Sequence, residues 1–212
     1  MAKRPSLAVL CAVFTMAFLL PAVPVMATPI SFVAYLSGAA ESPANASPGT
    51  GIAVVTIDTL LHTLSVEASF DFLTSSVTAA HIHAINGPGD ANTSDTLGPV
   101  ATTTPTFAGF PSGVTAGTYD ATFDMTLAGS YRAGFITASG GIAAAEAALF
   151  AAIMEGRAYF NIHTENFPGG EIRGFLEPQQ TRPVPDVPKP GMMLLMAAGI
   201  AGLARMRRQR QT

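Results

Sequence analysis

Leu64, Val66, Ala68, Phe70 and Phe72 alternate with Ser65, Glu67, Ser69 and Asp71. A period of two belongs to a strand with one face in a core and the other in water. The same alternation runs through "TYDATFDMTL", where Tyr119, Ala121, Phe123 and Met125 share a face. Shorter runs of this character, "ISFVAYLSG", "IAVVTID", "RAYFNIHT" and "EIRGFLEP", are separated by clusters of Gly, Pro, Ser and Asn, which break regular structure. "TLLH" between "IAVVTID" and "TLSVEASFDF" predicts a hairpin, and "ENFPGG" predicts a turn between the last two strands. One stretch departs from the pattern. "GGIAAAEAALFAAIMEGR" is Ala-rich and lacks Pro, so a helix is expected over Ile142–Met154. "NGPGDANTSDTLGPVATTTPTFAGFPSG" holds too many turn residues for a core and is expected to form loops plus one edge strand. Seven or eight short strands with one short helix predict an all-β, Greek-key sandwich or barrel over residues 28–181.

The two ends read differently from this domain. Lys3 and Arg4, then "LAVLCAVFTMAFLL", then "VMA" have the order of an export signal with a cut at Ala27–Thr28. Cys11, the sole cysteine, lies inside it, so the exported domain has neither disulfide nor thiolate. After residue 181 come a proline-rich spacer, 182–190, and the segment 191–212, in which "MMLLMAAGIAGLA" precedes the basic cluster "RMRRQR". Thirteen helical residues rise about 20 Å, against a hydrocarbon core of about 30 Å. That length suits a transient stay in the inner membrane better than a permanent anchor.

Charge narrows the partners. Between Thr28 and Thr181 thirteen carboxylates face three arginines, Arg132, Arg157 and Arg173, a net charge of about −10. Such a domain repels phosphate backbones, which argues against nucleic acid as a partner. There is no Gly-x-Ser-x-Gly, no His-Glu-x-x-His and no Cys nucleophile, so hydrolase chemistry has no motif to rest on.

Candidate chemistry lies in the histidines. In a strand, residues two apart point the same way, so His81 and His83 of "HIH" project together. His163 of "YFNIHTE" sits on a strand expected nearby, with Asn161 and Glu165 on its face, while His62 falls at a hairpin end. Three imidazoles are a donor set for copper or zinc; equally, their ring nitrogens can tie down loops without any metal. In "ENFPGGEIRG", Gly169 and Gly170 permit positive φ in a turn. Glu171 and Arg173 share a strand face, where they can pair with each other or with a neighbouring strand, as a structural latch.

"AAHIHAINGPG" followed by "GRAYFNIHTENFPGGEIRGFLEP", with "LSGAAESP" and "GTGIAVVTID" upstream, closely resembles the chordin-type (CHRD) domain from about Phe32 to Glu177. The resemblance implies a β-sandwich of extracellular regulators and bacterial exported proteins, with no enzymatic activity established for the family as a whole. The tail resembles PEP-CTERM sorting tails, although "PDVP" and "PKP" stand where "PEP" is expected; this implies sorting machinery of the exosortase type. More distantly, "HIH" and a later strand histidine are similar to the copper ligands of copper/zinc superoxide dismutases, themselves Greek-key sandwiches, while the remaining ligands and cysteines of that family have no counterpart. The expectation is therefore an exported, non-catalytic binding or structural module at the cell surface or in extracellular matrix, with an extracellular polymer or surface protein as partner. The alternative is a copper- or zinc-binding, redox-capable protein built on His81, His83 and His163.

Overall fold

The computed structural model describes residues 28–90 and 96–179; the expected export signal, spacer and sorting segment lie outside the described residues. Eight strands form one antiparallel, curled sheet. They are β1 (Ile30–Ser37), β2 (Thr50–Asp58), β3 (Thr63–Asp71), β4 (Val77–Ala84), β5 (Gly117–Asp124), β6 (Ala158–Thr164), β7 (Ile172–Phe175) and β8 (Glu177–Pro178). Their order across the sheet is β4-β6-β7-β1-β2-β3-β5, with β8 beside β1. The chain crosses between the two halves of the sheet after β3, after β4 and after β5, so neighbours in space are distant in sequence. The all-β expectation holds.

Local chemistry sets the strand boundaries. β2 and β3 pair from Thr50↔Asp71 to Asp58↔Thr63. Their turn is fixed by the Asp58 carboxylate, which accepts the Leu60 and Leu61 N–H groups at 2.9 Å. His62 closes the turn in the left-handed region at φ 54°. Leu64, Val66, Ala68 and Phe70 face the core as the alternation requires. Phe72 does not: the strand ends at Asp71, φ at Phe72 is 60°, and its side chain is 65% exposed.

The expectation of a single helix is corrected. Helix α1 (Ala133–Ser139) precedes the expected α2 (Ile142–Met154). It is short, and its signal is weak: one buried Phe135, with Gly140 at φ 90° donating to the Ile136 and Thr137 carbonyls as the C-terminal stop. α2 sets Ala145, Leu149, Ala152 and Ile153 into the core and contacts β4, β6 and β8, so the helix packs on the sheet. On its flank Glu146 accepts from His62 Nδ1 at 2.8 Å, which ties the β2–β3 hairpin to α2. Among the described residues no single helix is long and apolar enough to cross a membrane.

The 86–113 stretch is also corrected. Its described residues make only the isolated bridges His83↔Val100 and Thr102↔Tyr131, and no regular edge strand. Pro99, Pro105 and Pro111 deny the donors a ladder needs. Yet it supplies Ala101, Phe107 and Phe110 to the core. Phe107 packs within 5.2–6.2 Å, centroid to centroid, of Phe123, Phe160 and Tyr119. Its backbone also covers the outer edge of β4: Ala101 N–H donates to Ile82 O, Phe107 N–H to Ala80 O, and Ala84 N–H to Pro99 O.

Candidate functional site

β6 is buried at every position, which a strand with one wet face cannot be. Ala158, Phe160 and Ile162 belong to the hydrophobic core, as do Ala80, Ile82 and Ala84 of β4 and Ile172 of β7. The opposite face carries His81 and His83 on β4, Tyr159, Asn161 and His163 on β6, and Arg173 on β7. Register brings them side by side, with His81↔Asn161, His83↔Tyr159, Ala79↔His163 and Asn161↔Arg173 as partners. Loops then close over this polar layer. Arg173 donates from Nε to Ala40 O at 2.6 Å and from Nη1 to Thr96 O at 2.7 Å. His83 Nδ1 donates to Gly98 O at 2.8 Å, and His163 Nδ1 to Pro168 O at 2.9 Å.

Five planar groups stack through the layer. The Arg173 guanidinium lies 4.8 Å over the Tyr159 ring, and Tyr159 stacks on His83 at 4.5 Å. His83 stacks on His81 at 4.7 Å, and His81 on His163 at 4.6 Å. One ring nitrogen from each histidine lies within 4.8 Å of one from both others. Because carbonyls accept only, the Nδ1 atoms of His83 and His163 carry the protons and their Nε2 atoms carry lone pairs. Those two Nε2 atoms and His81 Nδ1 are buried without a hydrogen-bond partner.

Burial pushes the His81 imidazole down to about 2 from its ordinary 6.5, with His83 and His163 adding to the effect. Burial likewise pushes His83 down to about 4, against the bond to Gly98, and lowers His163, against the bond to Pro168. All three are neutral at physiological pH, the form that coordinates a metal. Bonds of about 2.0–2.1 Å to a three-nitrogen site need the nitrogens about 3.5 Å apart.

Each latch residue has a place in this layer. Gly170 takes φ 130°, whereas Gly169 stays outside the positive-φ region. Glu171 and Arg173 do not pair with each other. The Glu171 carboxylate, fully buried, accepts from Ser47 Oγ at 2.6 Å, Thr74 N–H at 2.7 Å and Thr164 Oγ1 at 2.5 Å. Burial would raise its pKa, but these donors outweigh burial and hold it below the usual carboxylate range. Arg173 instead approaches Glu41, with Nε 3.8 Å from Oε2. The two diverge because β7 begins at Ile172 and leaves Glu171 in the turn.

Of the residues expected from sequence, His81, His83 and His163 come together with Asn161 beside them. Glu165 is exposed and His62 lies elsewhere, at the β2–β3 turn against Glu146 of α2. Two members were missed. Tyr159 was legible, since the alternation that places His163 places it too. Glu41 was not, because it comes from a loop some 120 residues before its neighbours on β6.

A family model described as the CHRD domain matches residues 32–176. No curated protein and no solved structure matches the chain.

Proposed function

The chain belongs to the CHRD family, and from that premise we propose that it is an exported, non-catalytic binding module that holds one copper or zinc ion on His81, His83 and His163. One observation carries this reading: three neutral imidazoles, two buried and one partly buried, lie within 4.8 Å, and each leaves a buried ring nitrogen without a partner. Buried polar atoms are rarely left unsatisfied, and imidazole nitrogens suit these two ions. The bonds from His83 to Gly98 O and from His163 to Pro168 O fix the tautomer and aim each Nε2, as second-layer bonds do around metals. The ion would bring a positive charge into a site whose ligands bring none. The chain's own residues then set the environment: Tyr159 and Arg173 cap one side of the stack and the loops exclude water.

The test is metal content of the purified full chain after copper or zinc loading and dialysis, beside the His81→Ala/His83→Ala double variant. About one ion per chain, absent from the variant, is the expected result. No retained ion in the parent chain would overturn the metal reading and leave the histidines as tethers for the Gly98 and Pro168 loops.

Delivery belongs to the same proposal. The N-terminal segment directs export, and the tail holds the chain in the inner membrane until machinery of the exosortase type releases it to the surface or matrix. Mass spectrometry of native surface material should then find chains ending between Pro185 and Pro190. An intact "RRQRQT" terminus on processed material would rule out release by this route.

A further inference from the structure

Not all the unpartnered buried atoms belong to the histidines. Glu41 Oε1 and Asn161 Oδ1 also lack partners, and they meet at another part of the same layer, against Gly170. A methyl group added to Gly170 would stand 2.7 Å from Glu41 Oε1 and 2.8 Å from the amide nitrogen and oxygen of Asn161. The two side chains are only 8% and 3% exposed. Above them opens a cleft of about 320 Å³ between the 41–45 and 166–170 loops, with Glu41 and Gly170 in its lining. Its walls are mixed: Pro43, Phe167 and Pro168 are apolar, while Ser42 and Asn166 offer a hydroxyl and an amide.

We infer that this cleft is a carbohydrate subsite that takes a terminal sugar of a neutral glycan, its C–H face on Phe167 and the prolines and its hydroxyls directed to Glu41, Ser42 and Asn166. Glu41, whose Oε1 is unpartnered, lines the cleft and calls for a hydrogen-bond partner, and a sugar hydroxyl serves as donor or acceptor. A cation is disfavoured because the Arg173 guanidinium already stands 3.8 Å from Glu41 Oε2. An anionic sugar is disfavoured by thirteen carboxylates against three arginines in residues 28–181. Alternation of apolar and hydrogen-bonding walls matches a pyranose, which is apolar on its faces and polar at its edges. The volume lies at the low end for ligand sites, which fits the end of a glycan and not an internal stretch. Glu41 lines the cleft together with Gly170, whereas Asn161 does not. The inference goes beyond the metal reading and does not depend on it.

Amide chemical-shift mapping of the full chain tests it, in a detergent without a sugar headgroup. The probes are methyl glycosides of glucose, galactose and N-acetylglucosamine, with galacturonate as the anionic comparison. At least one neutral glycoside should shift the amides of Ser42, Asn45, Asn166 and Gly170 saturably, and more strongly than galacturonate does. Glu41→Gln keeps the shape but weakens the acceptor, and should loosen binding about tenfold. Phe167→Ala should loosen it as well, and because its side chain is partly exposed it carries the test alone where Glu41→Gln perturbs folding. No movement of these amides with any neutral glycoside, tighter binding of galacturonate, or unchanged binding in the variants would overturn the assignment.

Discussion

At the scale of single residues, the contrast between Glu171 and Glu41 shows how burial and partners divide two carboxylates. Glu171 has three donors within 2.7 Å; Glu41 has an arginine at 3.8 Å and one oxygen with nothing. Burial therefore lifts Glu41 to about 7, Arg173 and the Ser42 N–H only partly opposing it. Replacing Glu171 by Ala strands three donors, one of them, Thr164 Oγ1, buried, and should destabilise the fold by about 3 kcal/mol. Glu171→Gln, which keeps an acceptor oxygen, should lose about half as much. Denaturant unfolding of the two variants decides this; equal losses would mean that volume, and not the donors, is what Glu171 supplies. The histidines follow the same logic with opposite sign. Burial keeps them neutral, so an ion bound there meets little proton competition. Copper or zinc should stay bound as pH falls from 7.5 to 5.5, a range in which exposed imidazoles with ordinary values near 6.5 release it. Equilibrium dialysis across that range checks the expectation.

At the scale of elements, the 98–114 segment behaves as core without being a strand or helix. Phe107→Ala should cost about 3–5 kcal/mol, as much as Phe160→Ala at the centre of β6. A loss under about 1 kcal/mol, typical of surface positions, would contradict that placement. The comparison also marks how far sequence reasoning reaches. β3, β5 and the β2–β3 hairpin were legible because each carries its period within ten to fifteen residues, and α2 because an Ala-rich, Pro-free run favours helix. α1 was not, since seven residues give one buried Phe135 and little period. Phe107 and Phe110 were hidden by the prolines and glycines around them, which report that the backbone is irregular but not where its side chains go. In the site, "HIH" and "NIH" gave the three clustered histidines and their common face from alternation alone. The pairing of β4 with β6 that joins them depends on crossings of the sheet, and the loop that brings Glu41 leaves no periodic trace.

At the scale of the whole molecule, the buried titratable groups give stability a defined pH dependence. The lowered His81, His83 and His163 remain neutral in the folded chain while the unfolded chain binds protons below about pH 6.5. Their contribution is present above that value and is lost as pH falls towards the folded values of about 4 and 2. Glu171, held low, adds stability above its ordinary 4.5 that is likewise lost as pH falls through its folded value. Glu41 acts the other way: raised to about 7, it favours the folded state at low pH and loses that contribution as pH rises from about 4.5 to 7. Three imidazoles outnumber one carboxyl, so stability of the metal-free protein should climb from pH 4 to about 6.5 and decline slightly beyond. Glu41→Gln should remove the alkaline decline and leave the acid limb in place, as thermal melts across pH will register. The site's assembly has a further consequence. His81 and His83 lie some 80 residues before His163, on strands that meet only after the chain has crossed the sheet repeatedly. On the proposed export and metal reading, an extended chain crossing a membrane would carry an imidazole pair at most, too few ligands to hold the ion against competing chelators. The compartment in which the domain folds, and not the one in which it is synthesised, would then decide which metal it acquires.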